Sequence, residues 1–169
     1  MMKQEILYDQ TMSWLESKGF RTIVTGKGTQ FVIPISDLFC APYKVPDLVG
    51  VDGNGRVAIA EVEIDKEKFF DALGRCMLWR CMATFAYLVY PKGRIPRAPF
   101  LSRVGVGLLE IDEAGAVTEI VKLPETDGSL FSVMELHPTD FAREQHLAAY
   151  IQQILPAHRG SIANAGLQS

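Results

Sequence analysis

The chain has 169 residues, 48% of them hydrophobic and 22% charged, and a formal net charge of −3. That length suits one domain with its own core, and that composition excludes a disordered or fibrous chain. A slightly negative total supplies no general field for nucleic acid, so a polyanion site has to come from a local basic patch or a bound cation.

Three cysteines, Cys40, Cys76 and Cys81, form no C-x-x-C pair, which points to reduced thiols and a cytoplasmic setting. The opening "MMKQEILYDQ" lacks an apolar leader core, and the longest greasy run, Cys81 to Tyr90, is about half of what a membrane span requires. A soluble intracellular protein with no membrane partner is expected.

From Gln4 to Lys18, Leu7, Thr11, Trp14 and Leu15 recur at helical spacing. Gly19 then takes the left-handed position that lets Phe20 fold back onto Leu15. Extended pieces are predicted over Arg21–Thr25 and Gln30–Ile35, with a turn at "GKG" between them and a loop at "SDLFCAPYK" after them. Strands over Asp47–Val51 and Arg56–Ile64 are joined by "DGNG", whose residues supply the positive backbone angles of a tight hairpin. A helix from Lys66 to about Phe85 would carry Phe69, Phe70, Leu73, Met77, Cys81 and Thr84 on one face. "AYLVYP" follows as a strand covered on both sides, making strand, helix and strand a parallel crossover.

Further on, "RVGVGLLEID" and "AVTEIVKLP", separated by "EAG", form another strand pair. "TDFAREQHLAAYIQQIL" reads as a closing helix entered through Thr139 or Asp140. The order predicts one α/β (α+β) domain over residues 1–160, a mixed sheet with helices on its faces, and a flexible tail over 161–169.

Alternation in the second hairpin strand puts Val57, Ile59, Glu61 and Glu63 on one face and Ala58, Ala60, Val62 and Ile64 on the other. The small alanines would let a helix approach closely, which marks an interior strand. Two carboxylates in such a place repel each other and lose hydration, so their protonated forms are favoured unless a cation compensates. A divalent metal is the simplest compensation. Hard oxygens suit Mg²⁺ (or Mn²⁺), with Asp47 arriving from the neighbouring strand and the Val62 carbonyl adding one more oxygen. A metal so placed can polarise a phosphodiester, activate water and stabilise the leaving oxygen.

Plainer readings stand beside this one. The acids could be solvated at an exposed strand end. A calcium-loop reading of "DGNGRVAIAEVE" fails because Arg56 and Val57 stand where a ligand and a glycine belong. "GKGTQ" lacks the spacing of a phosphate loop, and His137, His146 and His158 share no metal spacing. Trp14 and Trp79 read as packing residues.

Pro46-Asp47, thirteen intervening residues, then Glu61-Val62-Glu63 ending an apolar strand before an amphipathic helix and "AYLVYP" resembles the PD-(D/E)XK nuclease superfamily. The resemblance covers roughly residues 4 to 91. It implies a restriction-endonuclease-like mixed sheet with an αβββαβ core and Mg²⁺-dependent cleavage of DNA phosphodiester bonds. Asp47 and Glu61 would be the metal ligands and Glu5, in the first helix, the assisting acid, with Asp9 and Glu16 as weaker candidates.

The chain departs from the family at Glu63, where most members carry a lysine that orients or activates the water. Glu63 would then act as an added ligand or general base, and Lys66 or Lys68 would supply a migrated ammonium. Arg75 lies where many relatives place a helical glutamine near the scissile phosphate; its guanidinium could hold phosphate in a fork or pair with Asp71 one turn back. "PKGRIPRAPFLSR" holds Lys92, Arg94, Arg97 and Arg103 with no acid from Pro91 through Leu109, an extended, exposed loop that is either a solvated face or a phosphate-backbone contact. The expected partner is DNA. Cutting both strands favours a homodimer by substrate symmetry, and a larger nuclease or repair assembly is open to it as well. The alternative is a nuclease-like domain that lost catalysis with its lysine and serves as a nucleic-acid-binding or assembly subunit.

Overall fold

Helix α1 (Gln4–Ser17) stops as its sequence requires in the computed structural model, which describes residues 3–25, 46–80, 83–95 and 100–123. The Phe20 amide donates to the Leu15 carbonyl at 3.1 Å and the Gly19 amide to Glu16 at 2.9 Å, while Gly19 has φ of +90°. That is the Schellman ending, and it turns Phe20 into the same apolar cluster as Leu15.

The chain continues through β1 (Arg21–Val24), β2 (Leu48–Val51) and β3 (Val57–Val62). A 3₁₀ turn at Lys66–Lys68 runs into α2 (Phe69–Arg80), followed by β4 (Phe85–Pro91), the short α3 (Phe100–Arg103), β5 (Val106–Ile111) and β6 (Val117–Val121). The six strands form one sheet in the order β1-β2-β3-β4-β5-β6. Neighbours are antiparallel except at β3–β4 and β4–β5, which are parallel, so the fold is mixed α/β with helices flanking the sheet.

The β2–β3 hairpin closes locally. Asp52 Oδ1 accepts from the Asn54 and Arg56 amides, each at 2.9 Å, and Gly55 takes φ of +80°. All six residues of β3 are buried between β2 and β4, as expected of an interior strand. Ala58, Ala60 and Val62 meet Leu7, Leu15 and Phe20 on the α1 side. Val57 and Ile59 meet Leu73, Cys76 and Trp79 on the α2 side. The alternation of one strand thus separates two cores.

Four expectations are corrected. The helix predicted to reach Phe85 ends at Arg80, because Phe85 is needed as the first rung of the parallel ladder, opposite Ala58. Its inward face is also turned: Phe70 is 77% exposed and Met77 is 43% exposed, whereas Ala72, Cys76, Trp79 and Arg80 are buried with Leu73. Small and polar residues carry much of that buried stripe, so hydropathy chose the wrong line along the helix. The segment read as an extended exposed loop after "AYLVYP" instead buries Ile95 and winds into α3, where Leu101 is fully buried. The following strand accordingly begins at Val106 and not at Arg103.

The "GKG" turn, the Gln30–Ile35 strand, the "SDLFCAPYK" loop, the closing helix and the tail lie outside the described residues, as do Cys40, Cys81 and the three histidines. Among the described residues, no helix is long and apolar enough to cross a membrane.

Candidate functional site

Leu48 pairs with Ala60, so the next residue toward the start of β2, Asp47, arrives beside Glu61. Its carboxylate curls round the end of the sheet. Oδ2 accepts from the Val62 amide at 2.8 Å and Oδ1 from the Tyr8 hydroxyl at 3.0 Å. One turn earlier on α1, Gln4 Nε2 donates to the Val62 carbonyl at 3.1 Å. Beyond the end of β2, the Val62 amide and carbonyl would lack partners on that side, and these two side chains supply them. Burial raises the Asp47 pKa, opposed by the Val62 amide and the Tyr8 hydroxyl.

Glu61 points the other way, toward α2, with only 2% of its surface exposed. Its Oε2 accepts from Arg75 Nε at 2.7 Å and its Oε1 from Trp79 Nε1 at 2.5 Å. Arg75 and Trp79 stand four apart on α2 and therefore share a face. Arg75 also reaches back through Nη1 to Asp71, an exposed acid one turn earlier. Burial pushes the Glu61 carboxyl up to about 7, the Asp47 charge adds to this, and Arg75 and Trp79 oppose it.

Glu63 lies just past the strand. Its amide extends the parallel ladder by donating to the Val89 carbonyl at 3.0 Å. Oε1 accepts from the Ile64 and Asp65 amides at 2.9 and 3.1 Å, and Oε2 is 4.0 Å from Lys68 Nζ. The next residue of β4 is Tyr90, whose side chain is fully buried and whose hydroxyl meets no hydrogen-bond partner among the described residues. Burial and the Glu63 charge both raise its pKa.

The structure thus brings Asp47, Glu61, Glu63, Lys68 and Arg75 to the carboxyl end of β3. It does not bring Glu5, which is exposed on α1 along with Asp9 and Glu16, nor Lys66, which is exposed and 4.0 Å from Glu67. Lys92 and Arg94 line an open cleft of about 530 Å³ with Asp65, Ile111 and Glu113, outside the carboxyl ends of β3, β4 and β5. Open α/β sheets bind ligands in that position. Arg103 ends α3 before the amino end of β5, a strand length of about 16 Å from the cleft. Arg97 lies outside the described residues.

Gln4, Tyr8 and Trp79 are the site residues that the sequence reading passed over. Their signal was spacing: Gln4 with Tyr8, and Arg75 with Trp79, are polar pairs four apart on helices that flank an acid-tipped strand.

The donors are of the kind that Mg²⁺ takes. They are hard oxygens, two of the carboxylates are pushed toward protonation by burial, and an orphaned hydroxyl stands on the neighbouring strand. Their contacts here are with protein, and among the described residues no three His, Cys, Asp or Glu side chains are grouped to hold an ion.

No protein-family model matches the chain, and no curated protein matches it. Among solved structures, a Silicibacter pomeroyi protein of unknown function is similar over 95% of both chains, with 16% identity and a TM-score of 0.52. At that identity the likeness is one of fold.

Proposed function

We propose that this chain is a Mg²⁺-dependent DNA endonuclease with a restriction-endonuclease-like core of the PD-(D/E)XK kind. The observation that carries the reading is the pair of buried acids, Glu61 and Glu63, at the carboxyl end of one interior strand, with Asp47 on the neighbouring segment beside Glu61. The order α1-β1-β2-β3-α2-β4 among the described residues supports it, since αβββαβ is the core that the resemblance implies.

Asp47 and Glu61 would hold the metal, with Glu63 and the Val62 carbonyl as further oxygens. When bound, the ion supplies Lewis-acid activation of water and stabilisation of the leaving oxygen. The protein's own groups do the rest. Tyr8 and Trp79 orient Asp47 and Glu61 through hydrogen bonds. Lys68, beside Glu63, offers the ammonium that the motif position lacks. Arg75 offers a planar fork for phosphate, and Lys92 and Arg94 flank the path of the backbone in the cleft. Cleavage of both strands would use a homodimer.

The test is nicking of plasmid, junction and flap DNA with Mg²⁺ or Mn²⁺. Wild type should nick and Asp47→Ala should fall to background; identical traces from the two would sink the enzyme reading. The ion pair between Arg75 and Glu61 favours a second reading, a nuclease-like domain that binds nucleic acid without cutting it. In that case DNA binding survives Glu61→Ala, is lost when Arg94 and Arg97 are neutralised, and no nicking accompanies it.

A further inference from the structure

We infer that Arg75 is a latch on Glu61: its guanidinium and a divalent cation are alternative counter-ions for the same carboxylate, so that metal entry requires the Arg75–Glu61 bond to open. The inference rests on the metal-dependent reading above.

A carboxylate with 2% of its surface exposed cannot keep its charge without a cation beside it. In this structure the cation is Arg75, which engages Glu61 Oε2 through Nε. Nη1, on the opposite edge of the guanidinium, is turned to Asp71. The guanidinium is therefore divided between two acids of opposite setting, one inside and one at the rim. The Glu61 side chain is 2% exposed and that of Asp71 is 73% exposed.

A divalent cation on Oε2 would lie within a few ångströms of the guanidinium. Like charges that close in a partly buried site repel strongly, so the two cannot share the oxygen. Asp71 offers a place for the displaced guanidinium to stay, one helical turn away and in contact with water. Trp79 keeps its hold on Oε1 throughout, so the carboxylate need not reorient as its partner changes. The Arg75 Nε–H and the Trp79 indole N–H are thus reporters of the two oxygens of one group.

The experiment is Mn²⁺ calorimetry on the full chain, as wild type, Arg75→Gln and Glu61→Gln, together with Mg²⁺ titration of wild type followed by the Arg75 Nε–H and Trp79 Nε1–H NMR signals. Arg75→Gln should bind Mn²⁺ on the order of tenfold tighter, the equivalent of one hydrogen bond to a charged group. Glu61→Gln should lose the binding. In wild type, Mg²⁺ should shift the Arg75 signal and open it to exchange with water while the Trp79 signal stays protected. Unchanged or weaker Mn²⁺ affinity in Arg75→Gln, alongside loss in Glu61→Gln, overturns the latch and leaves the metal reading standing. No Mn²⁺ binding in wild type or Arg75→Gln overturns both. If Arg75→Gln does not fold, the wild-type titration decides, and an Arg75 signal unmoved at saturating Mg²⁺ overturns the latch.

Discussion

Glu61 is held by one guanidinium and one indole, and burial still outweighs them, lifting its carboxyl from the ordinary 4.5 to about 7. The sign of the consequence follows from linkage. Between those values the folded chain keeps the proton that the unfolded chain gives up, so the stabilisation is complete below about pH 4.5 and is lost as pH rises toward 7. Asp47, raised as well, acts in the same direction. In chelator-treated buffer the free energy of unfolding should therefore fall by about 3 kcal/mol across that window. Glu61→Gln should flatten most of the slope. A denaturant series at fixed pH steps checks both, and a profile that rises through the window would contradict the burial argument.

At the scale of elements, the site depends on how closely strands and helices approach. The alanines of β3 admit α1, whose first turns then reach the end of the strand through Gln4 and Tyr8. On the neighbouring pair, Gly107 of β5 lies opposite Tyr87 of β4, and the Tyr87 ring covers the glycine. A Cβ at position 107 would stand 2.6 Å from Tyr87 Cε1. The ring cannot easily yield, with Trp14 at 5.3 Å and Phe85 at 6.3 Å between centroids. Gly107→Ala should accordingly cost about 1–3 kcal/mol in denaturant unfolding. Pairing it with Tyr87→Leu should recover part of the loss, because the two positions share one space.

For the whole molecule, a net charge of −3 means that any hold on DNA must come from a local patch. Lys92 and Arg94 line the cleft at the carboxyl ends of the strands, whereas Arg103 stands before the amino end of β5. Arg94→Ala should thus lower the slope of log affinity against log salt by about one, and Arg103→Ala should leave it unchanged. Equal effects from both would mean that the cleft is not the DNA path. Much of this arrangement was legible in the chain itself. The β2–β3 hairpin, the interior position of β3, the parallel crossover and the facing of Glu61 all follow from alternation, turn residues and element order, which are local. The partners of the acids were not legible. Tyr8 lies 39 residues before Asp47, and Arg75 and Trp79 lie 14 and 18 residues beyond Glu61. The face that α2 turns inward was misread because small and polar residues form much of it. What the sequence by itself determined is that acids stand at the end of a buried strand and lose hydration there, since desolvation follows from local pattern alone. Only the tertiary structure decided that a guanidinium meets Glu61 and a phenol meets Asp47, because those contacts depend on the rotation and approach of helices packed from distant parts of the chain.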